Sequence, residues 1–521
     1  MRLGRLVVLL WIRVALTFQT VRQGPRAVMG ELEQVPEAVS WCVAHGAVYV
    51  LPTADMPEGY ERGGAFSHAP FALGPFPWPR REYERVTKLQ PTLNRVVDRV
   101  SRDGDWLRTT LKETIASDDF TKRLFELYEA APNPQSLTLG MLRSDYMLDE
   151  KTTVVVSDDL TSSSKSSKAK SSSFYDPSTR SLQVEINTIA SSFGCLSQTV
   201  SELHRYLEEK RSGTSSVLPP NEAGRGLAKA IAEAHDAYCG KVGRTTATTV
   251  MVVQPGERNQ MDQRKLEHFL WDDREVPMLR MTLAEIADRG THKGETLVID
   301  GTEEVSVVYF RAGYSPEDYP SEKEWSARAL VERSLAVKCP SAAYQLVGTK
   351  KVQQALAAPG ELEKFLKTTD DQSATDVRAV FAGLYDLDEA SADAPKAIAA
   401  ALGAPHAYVL KPQREGGGNN LYDADLAEAL TAMTPAERAG YILMERIESK
   451  PRDGCLVRNA QTSEGSCVAE LGIYGTFLAD GPDDELLNDV TGHLLRQKLL
   501  GTNEGGVAAG FAVLSSPKLV D

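Results

Sequence analysis

The sequence predicts an α/β chain with α+β elements, and three observations carry that reading. Between residues 247 and 350, short apolar strands alternate with helical stretches, the pattern of a parallel α/β unit. Ahead of that unit, apolar residues recur at helical spacing from Arg80 to Ala131. Beyond it, apolar strands are separated by glycine-rich or acidic loops.

In chain order, residues 1–28 form an N-terminal extension. Residues 1–30 hold five arginines and no acid, and the apolar run Leu6–Ile12, which Arg13 interrupts, is too short to span a membrane. Two readings stand: a targeting peptide, though serine and an A-x-A cleavage signal are missing, or an upstream extension of the reading frame with Met29 as the start. Residues 29–246 follow. Val86, Leu89, Leu93, Val96, Val97 and Val100, then Trp106, Leu107, Leu111 and Ile115, predict helices packed on a core. The serine- and lysine-rich stretch 157–179 reads as a solvated surface insertion. Ser181–Thr188 alternates as a strand, with Val184 and Ile186 on one face and Glu185 and Asn187 on the other.

In the 247–350 unit, strands are expected at Thr248–Val253, Thr296–Ile299 and Val305–Phe310, and helices at Gln263–Phe269, Leu283–Ala287 and Glu324–Ser334. Over 351–521, strands are expected at Tyr408–Leu410, Tyr441–Met444 and Val468–Phe477, with a helix at Asp423–Met433. The region 358–396, rich in Ala, Asp and Glu, reads as short exposed helices.

With 521 residues and 42% hydrophobic content the chain can bury large cores. Its net charge of −14 argues against nucleic acid or anionic membrane as a partner, so an anionic ligand needs a local basic cluster. Six cysteines without CxxC spacing argue against a zinc site or disulfide framework and for a reducing compartment.

Chemistry concentrates in Lys411-Pro-Gln-Arg-Glu-Gly-Gly-Gly-Asn-Asn420. Three glycines let backbone N–H groups approach an anion, Lys411 supplies a point charge, and Glu415 can hold the cation a nucleotide brings. Neither GxxxxGK[ST] nor GxGxxG occurs here, and a triple glycine read alone is more often a mobile surface turn. Glu185 and Asn187 can bridge one hard cation such as Mg²⁺, with Glu415 completing the set, or can be two polar groups on a solvent-facing edge. Lys350, Arg496 and Lys498 add positive charge near flexible stretches, each of them also readable as a solvated charge.

The segments MLRSDYM (141–147), QVEINTIASSFG (183–194), ERNQMDQR (257–264), VVYFRAGYSP (307–316), CPSAAYQLVGTKKVQQ (339–354), KPQREGGGNNLY (411–422), YILMERIE (441–448), AELGIYG (469–475), and GHLLRQK with GGVAAG (492–510), in this order, resemble the eukaryotic-type glutathione synthetase family. HAPFALGPFPWPR (68–80) extends the resemblance towards the N-terminus. The resemblance implies an ATP-grasp fold with an inserted parallel α/β substrate domain (247–350) and a glycine-rich lid, usually as a homodimer. It implies ATP-dependent ligation of γ-glutamylcysteine to glycine in the cytoplasm, or in an organelle if residues 1–28 are a transit peptide.

Carried onto this chain, the resemblance makes Glu185, Asn187 and Glu415 the Mg²⁺ ligands. Lys350, Lys411, Lys498 and the Gly416, Gly417 and Gly418 backbone meet phosphates. Asn419, Asn420, Tyr422, Met444, Glu445, Arg446, Ile447, Glu470 and Glu504 complete the ATP site. Arg143, Ser192, Glu257, Asn259, Gln263, Arg311, Tyr314 and Arg496 fall to the dipeptide, with Ile189, Ala190, Ser191, Arg258, Ala312 and Gly313 beside them, while Val507 and Ala508 flank the glycine. Arg143, Lys350, Lys411 and Arg496 are the groups assigned to catalysis. Three departures stand out: Ala190 where the family has serine, Ala312 where it has aspartate, and Glu504 where it has aspartate. Ser191 or Ser192 is the expected replacement for the first. A related ligase accepting β-alanine and an inactive nucleotide-binding subunit are the alternatives.

Overall fold

The computed structural model describes residues 33–51, 65–131, 134–151, 174–214, 217–367, 371–414, 419–503 and 505–521. The expectations on residues 1–28, on most of the serine-rich stretch, and on Glu415, Gly416, Gly417, Gly418 and Glu504 lie outside them.

The helical spacing after Arg80 becomes three helices, Arg80–Arg102, Gly104–Ser117 and Asp119–Ala130. Asp103 and Asp118 separate them by capping: each carboxylate accepts a backbone N–H, from Trp106 at 2.9 Å and Thr121 at 2.7 Å. The buried stripe Val86, Leu89, Leu93, Val96 and Val97 packs with Leu142, Leu471 and Ile473 of the central sheet.

That sheet has seven strands, in the order Arg452–Arg458, Phe71–Ala72, Val513–Ser515, Asp484–Leu499, Gln461–Asp480, Leu137–Asp149, Arg180–Asn187. Its register sets Arg143 opposite both Asn187 and Tyr474, Asp145 opposite Glu185 and Gly472, and Glu470 opposite Arg496. Residues two apart share a face, so these polar groups form one patch. Gly472 is required there: a Cβ would stand 2.6 Å from Asp145 Oδ1 and 2.7 Å from Arg143 Cδ.

A four-stranded antiparallel sheet, Leu384–Asp386, Tyr441–Glu445, Tyr408–Pro412 and Leu421–Tyr422, faces this patch. One side packs Leu410 and Leu443 against Leu426 and Leu430 of the helix Asp423–Ala432. The other side brings Val409 and Met444 against Met147 and Val184 of the central sheet. A third sheet runs Met278–Met281, Thr248–Val252, Glu303–Phe310 and Val337–Cys339 in parallel, and Thr296–Ile299 and Gly290–Lys293 extend it antiparallel. The alternating 247–350 stretch is therefore a mixed sheet with a parallel core.

Several boundaries differ from expectation. The strand expected at 468–477 is the middle of Gln461–Asp480, and two long strands, Leu137–Asp149 and Asp484–Leu499, had no expected counterpart. The 358–396 region is not all exposed helix: Leu362, Phe365, Val377 and Val380 are buried, and Leu384–Asp386 is a strand. The end of the serine-rich stretch is anchored, because Tyr175 is buried and donates to the Pro77 carbonyl at 2.6 Å. Among the described residues, which include all six cysteines, there is no disulfide and no helix long and apolar enough to cross a membrane.

Candidate active site

Where the central and four-stranded sheets meet the third sheet, one cavity of about 610 Å³ opens. Eight cationic side chains line it against five carboxylates, so this wall is net positive in an acidic chain. The cavity gathers Arg143, Glu185, Asn187, Ile189, Ala190, Ser192, Glu257, Asn259, Arg311, Tyr314, Lys350 and Lys411. It also gathers Asn419, Asn420, Tyr422, Met444, Glu445, Arg446, Ile447, Glu470, Arg496, Lys498, Val507 and Ala508.

At its floor, Lys350 Nζ lies 3.0 Å from Glu185 Oε2. Burial alone would raise the Glu185 carboxyl, but Lys350, Lys411 and Arg496 hold it well below the usual carboxylate range, so it is ionised. Asn187 Nδ2 donates to Asp145 Oδ2 at 2.9 Å and to the Arg143 carbonyl at 3.3 Å. With its nitrogen engaged, Asn187 offers Oδ1. Glu185 and Asn187 thus present hard oxygens on one face, a set suited to Mg²⁺ with phosphate and water ligands. Lys411 Nζ donates to the Val184 carbonyl at 2.9 Å and Lys498 Nζ to the Asn503 carbonyl at 2.7 Å.

The apolar part of the slot is Met147, Val184, Val409, Met444, Ile447 and Tyr422, with the Arg446 guanidinium 5.5 Å over the Tyr422 ring. A flat aromatic base fits between such walls.

The arginines are not bare. Arg143 donates through Nε and Nη2 to the two Asp145 oxygens at 2.7 and 2.8 Å, and Arg496 Nη2 reaches Asp145 Oδ2 at 3.0 Å and also Glu470. Burial opposes the charge on Arg496, but Glu470 and Asp145 outweigh it and raise its pKa. Arg311 Nη1 pairs with Asp262 Oδ2 at 3.1 Å, while its Nε and the Asn259 Oδ1 are buried without partners. A donor and an acceptor left open beside Glu257 match a ligand carrying both carboxylate and ammonium.

Sequence reasoning missed Asp145 and Asp262. The signal for Asp145 was its i+2 spacing from Arg143 on a strand. Asp262 accepts the backbone N–H groups of Phe193, Cys195 and Leu196, fixing the loop that carries Ser192.

Five expected contacts do not line the cavity. Ser191 is turned inward, its Oγ donating to the Asn187 carbonyl at 3.4 Å, so it does not replace the serine absent at Ala190. Ala312 is buried among Val250, Phe310 and Ile189. Gly313, at φ +97°, has its N–H on Asp318 and its carbonyl on Gln345. Gln263 is fully buried behind Glu257, and Arg258 lies behind the glycine-rich loop, donating to the Ala508 carbonyl at 3.4 Å.

Two sheets closing on a cationic slot are the ATP-grasp arrangement, and the class is that of the ATP-dependent ligases. A family model described as eukaryotic glutathione synthase, ATP binding domain, matches residues 30–519. The chain is 40% identical to the chloroplastic glutathione synthetase of Solanum lycopersicum over 93% of this chain and 83% of that one. It is 39% identical to the glutathione synthetase of Homo sapiens over 94% and 97%. A glutathione synthetase-like effector from Globodera pallida, in its apo form, superposes with TM-score 0.72 at 22% identity over 96% and 98% of the two chains. The chain belongs to the eukaryotic glutathione synthase family.

Proposed function

We propose that this cavity joins γ-glutamylcysteine to glycine with hydrolysis of ATP to ADP and phosphate. The observation that carries the reading is the convergence of Arg143, Lys350, Lys411 and Arg496 on one carboxylate-floored cavity. A carboxylate is a poor acyl donor, so the γ-phosphate is first transferred to the cysteinyl carboxylate, giving an acyl phosphate, which the glycine amine then attacks. Lys350, Lys411 and Arg496 stabilise charge on the moving phosphoryl group and on the tetrahedral oxyanion. Glu185 and Asn187, with Glu415, are the residues to hold Mg²⁺, which when bound neutralises phosphate charge. Met444, Ile447 and Tyr422 hold the base. Glu257 and Asn259 take the dipeptide ammonium, and Arg311 takes a dipeptide carboxylate. Val507 and Ala508 close on glycine and exclude the water that would hydrolyse the acyl phosphate.

The division into a 247–350 substrate unit belongs to this reading, since that unit supplies Glu257 and Arg311. A homodimer, and a cytoplasmic location or import through residues 1–28, come with the family resemblance; sedimentation and localisation of a fluorescent fusion test them. The decisive assay is ADP release with γ-glutamylcysteine, with and without glycine. Stoichiometric peptide and ADP formation is expected, and ATP turnover without peptide would overturn the reading.

A further inference from the structure

Gln263 is fully buried, yet its side chain belongs to a chain of contacts ending at the cavity wall. Arg280 Nη2 donates to Gln263 Oε1 at 2.6 Å, Gln263 Nε2 donates to Glu257 Oε2 at 3.3 Å, and Glu257 Oε1 accepts the Asn259 backbone N–H at 2.7 Å. The three come from different places: Arg280 from the edge strand Met278–Met281, Gln263 from the helix Gln260–Arg274, and Glu257 from the loop before that helix.

The chemistry fixes the order of the links. A glutamine amide can turn either end towards a neighbour, but a guanidinium only donates and a carboxylate only accepts. Facing both, Gln263 has one favourable orientation. Arg280 forms no ion pair among the described residues, and its Nη1 is buried without a partner. Burial, and then the Arg264 charge, pull its pKa down to about 10, so this guanidinium is held at a cost that its neighbours do not offset. A half-buried charge held against repulsion is readily explained if another residue depends on it.

We propose that Arg280 is a positioning residue for recognition of the dipeptide's α-ammonium, acting through Gln263 to fix the Glu257 carboxylate, a proposal that rests on the ligase reading above. Glu257, held by Gln263 and the Asn259 N–H, turns its remaining lone pairs to the cavity beside the open Asn259 Oδ1, and the two form an ammonium cradle. Without Arg280 the Gln263 Oε1 loses the donor that anchors it, and the amide that holds the Glu257 carboxylate is left unfixed at its far end.

The test compares γ-glutamylcysteine with N-glutarylcysteine, which lacks only the α-amino group. Arg280→Met is expected to raise the KM for γ-glutamylcysteine roughly 10- to 100-fold, with the KM for ATP and kcat little changed. It is expected to leave the KM for N-glutarylcysteine within about twofold of the parent value, since that peptide brings no ammonium to the cradle. Arg280→Lys, which keeps a donor near Gln263 Oε1, should recover part of the loss. Gln263→Met gives an independent reading should Arg280→Met not fold, and should show the same selective loss. Equal losses on both peptides, or none, would overturn the proposal. If the parent chain ligated neither peptide, the ligase reading itself would fail and the relay with it.

Discussion

Arg143 and Asp145, two residues apart on one strand, meet fork to fork, Nε and Nη2 lying 2.7 and 2.8 Å from the two carboxylate oxygens. Asp145 is fully buried, so Arg143→Ala leaves its charge to Arg496 and Asn187 alone. Loss of one partner of a buried pair costs about 3–5 kcal/mol. Arg143→Ala should therefore unfold at lower denaturant concentration than the parent. Its specificity for γ-glutamylcysteine should fall roughly 30- to 4,000-fold, from about 2–5 kcal/mol of lost contact, while ATP affinity changes far less. Arg496→Ala should behave alike. Nucleotide affinity falling as far as dipeptide specificity would move these arginines to the ATP site.

Glu185→Ala removes a hard oxygen and leaves the buried Lys350 ammonium without its 3.0 Å partner. Ligation at any Mg²⁺ concentration should collapse, and titration of the variant with the metal and a non-hydrolysable nucleotide should show weakened coupled binding. Unchanged turnover would sink the metal assignment.

Stability should depend on pH through two buried histidines. His204 is pushed down to about 4 by burial and His493 to about 3 by burial and then the Arg205 charge, against 6.5 for an unperturbed imidazole. Both folded values lie below the unfolded one, so the unfolded chain binds the extra protons. Their contribution is complete above about pH 6.5 and is lost as pH falls towards 4 and 3. Each group then costs about 1.4 kcal/mol per pH unit, or about 2 kcal/mol by pH 5. Urea midpoints at pH 7.5 and pH 5 should differ more for the parent than for His204→Gln/His493→Gln. Equal differences would show that these imidazoles do not drive the acid loss.

Glycine should be preferred to β-alanine. Val507 is buried and lines the cavity next to Ala508, whose carbonyl Arg258 holds. An extra methylene in such a pocket discriminates by about 1–3 kcal/mol, or 10- to 200-fold. Equal specificity constants for the two amines would contradict the fit.

Much of this site was readable because its chemistry is local. Glu185 and Asn187 share a face by strand alternation, and Lys411 opens a glycine run. Leu137–Asp149 escaped because both of its faces are buried, which erases alternation and leaves Arg143 and Asp145 looking like misplaced charges. Asp484–Leu499 escaped because its first half is acidic and reads as a loop. The relations that matter most, Arg496 with Asp145 and Lys350 with Glu185, join residues far apart in the chain, and no spacing rule encodes them. Gln263 was assigned to the dipeptide by the family resemblance, and its side chain is fully buried behind Glu257, a depth that the sequence does not encode.

The strand bearing Arg496 is joined to the segment around Phe71 through Val513–Ser515, and Phe76–Pro79 runs beside Pro517–Val520. His204 bridges the same seam, its Nε2 on the Ala72 carbonyl and its Nδ1 3.0 Å from Ser516 Oγ. During synthesis, then, the central sheet cannot close until residue 515 has left the ribosome, and the segment around Phe71 waits with an unpaired edge for most of translation. Ribosome-bound chains stopped short of Val513 would be natural clients of chaperones, and a nonsense codon ahead of Val513 would leave the strand bearing Arg496 without its link to the segment around Phe71.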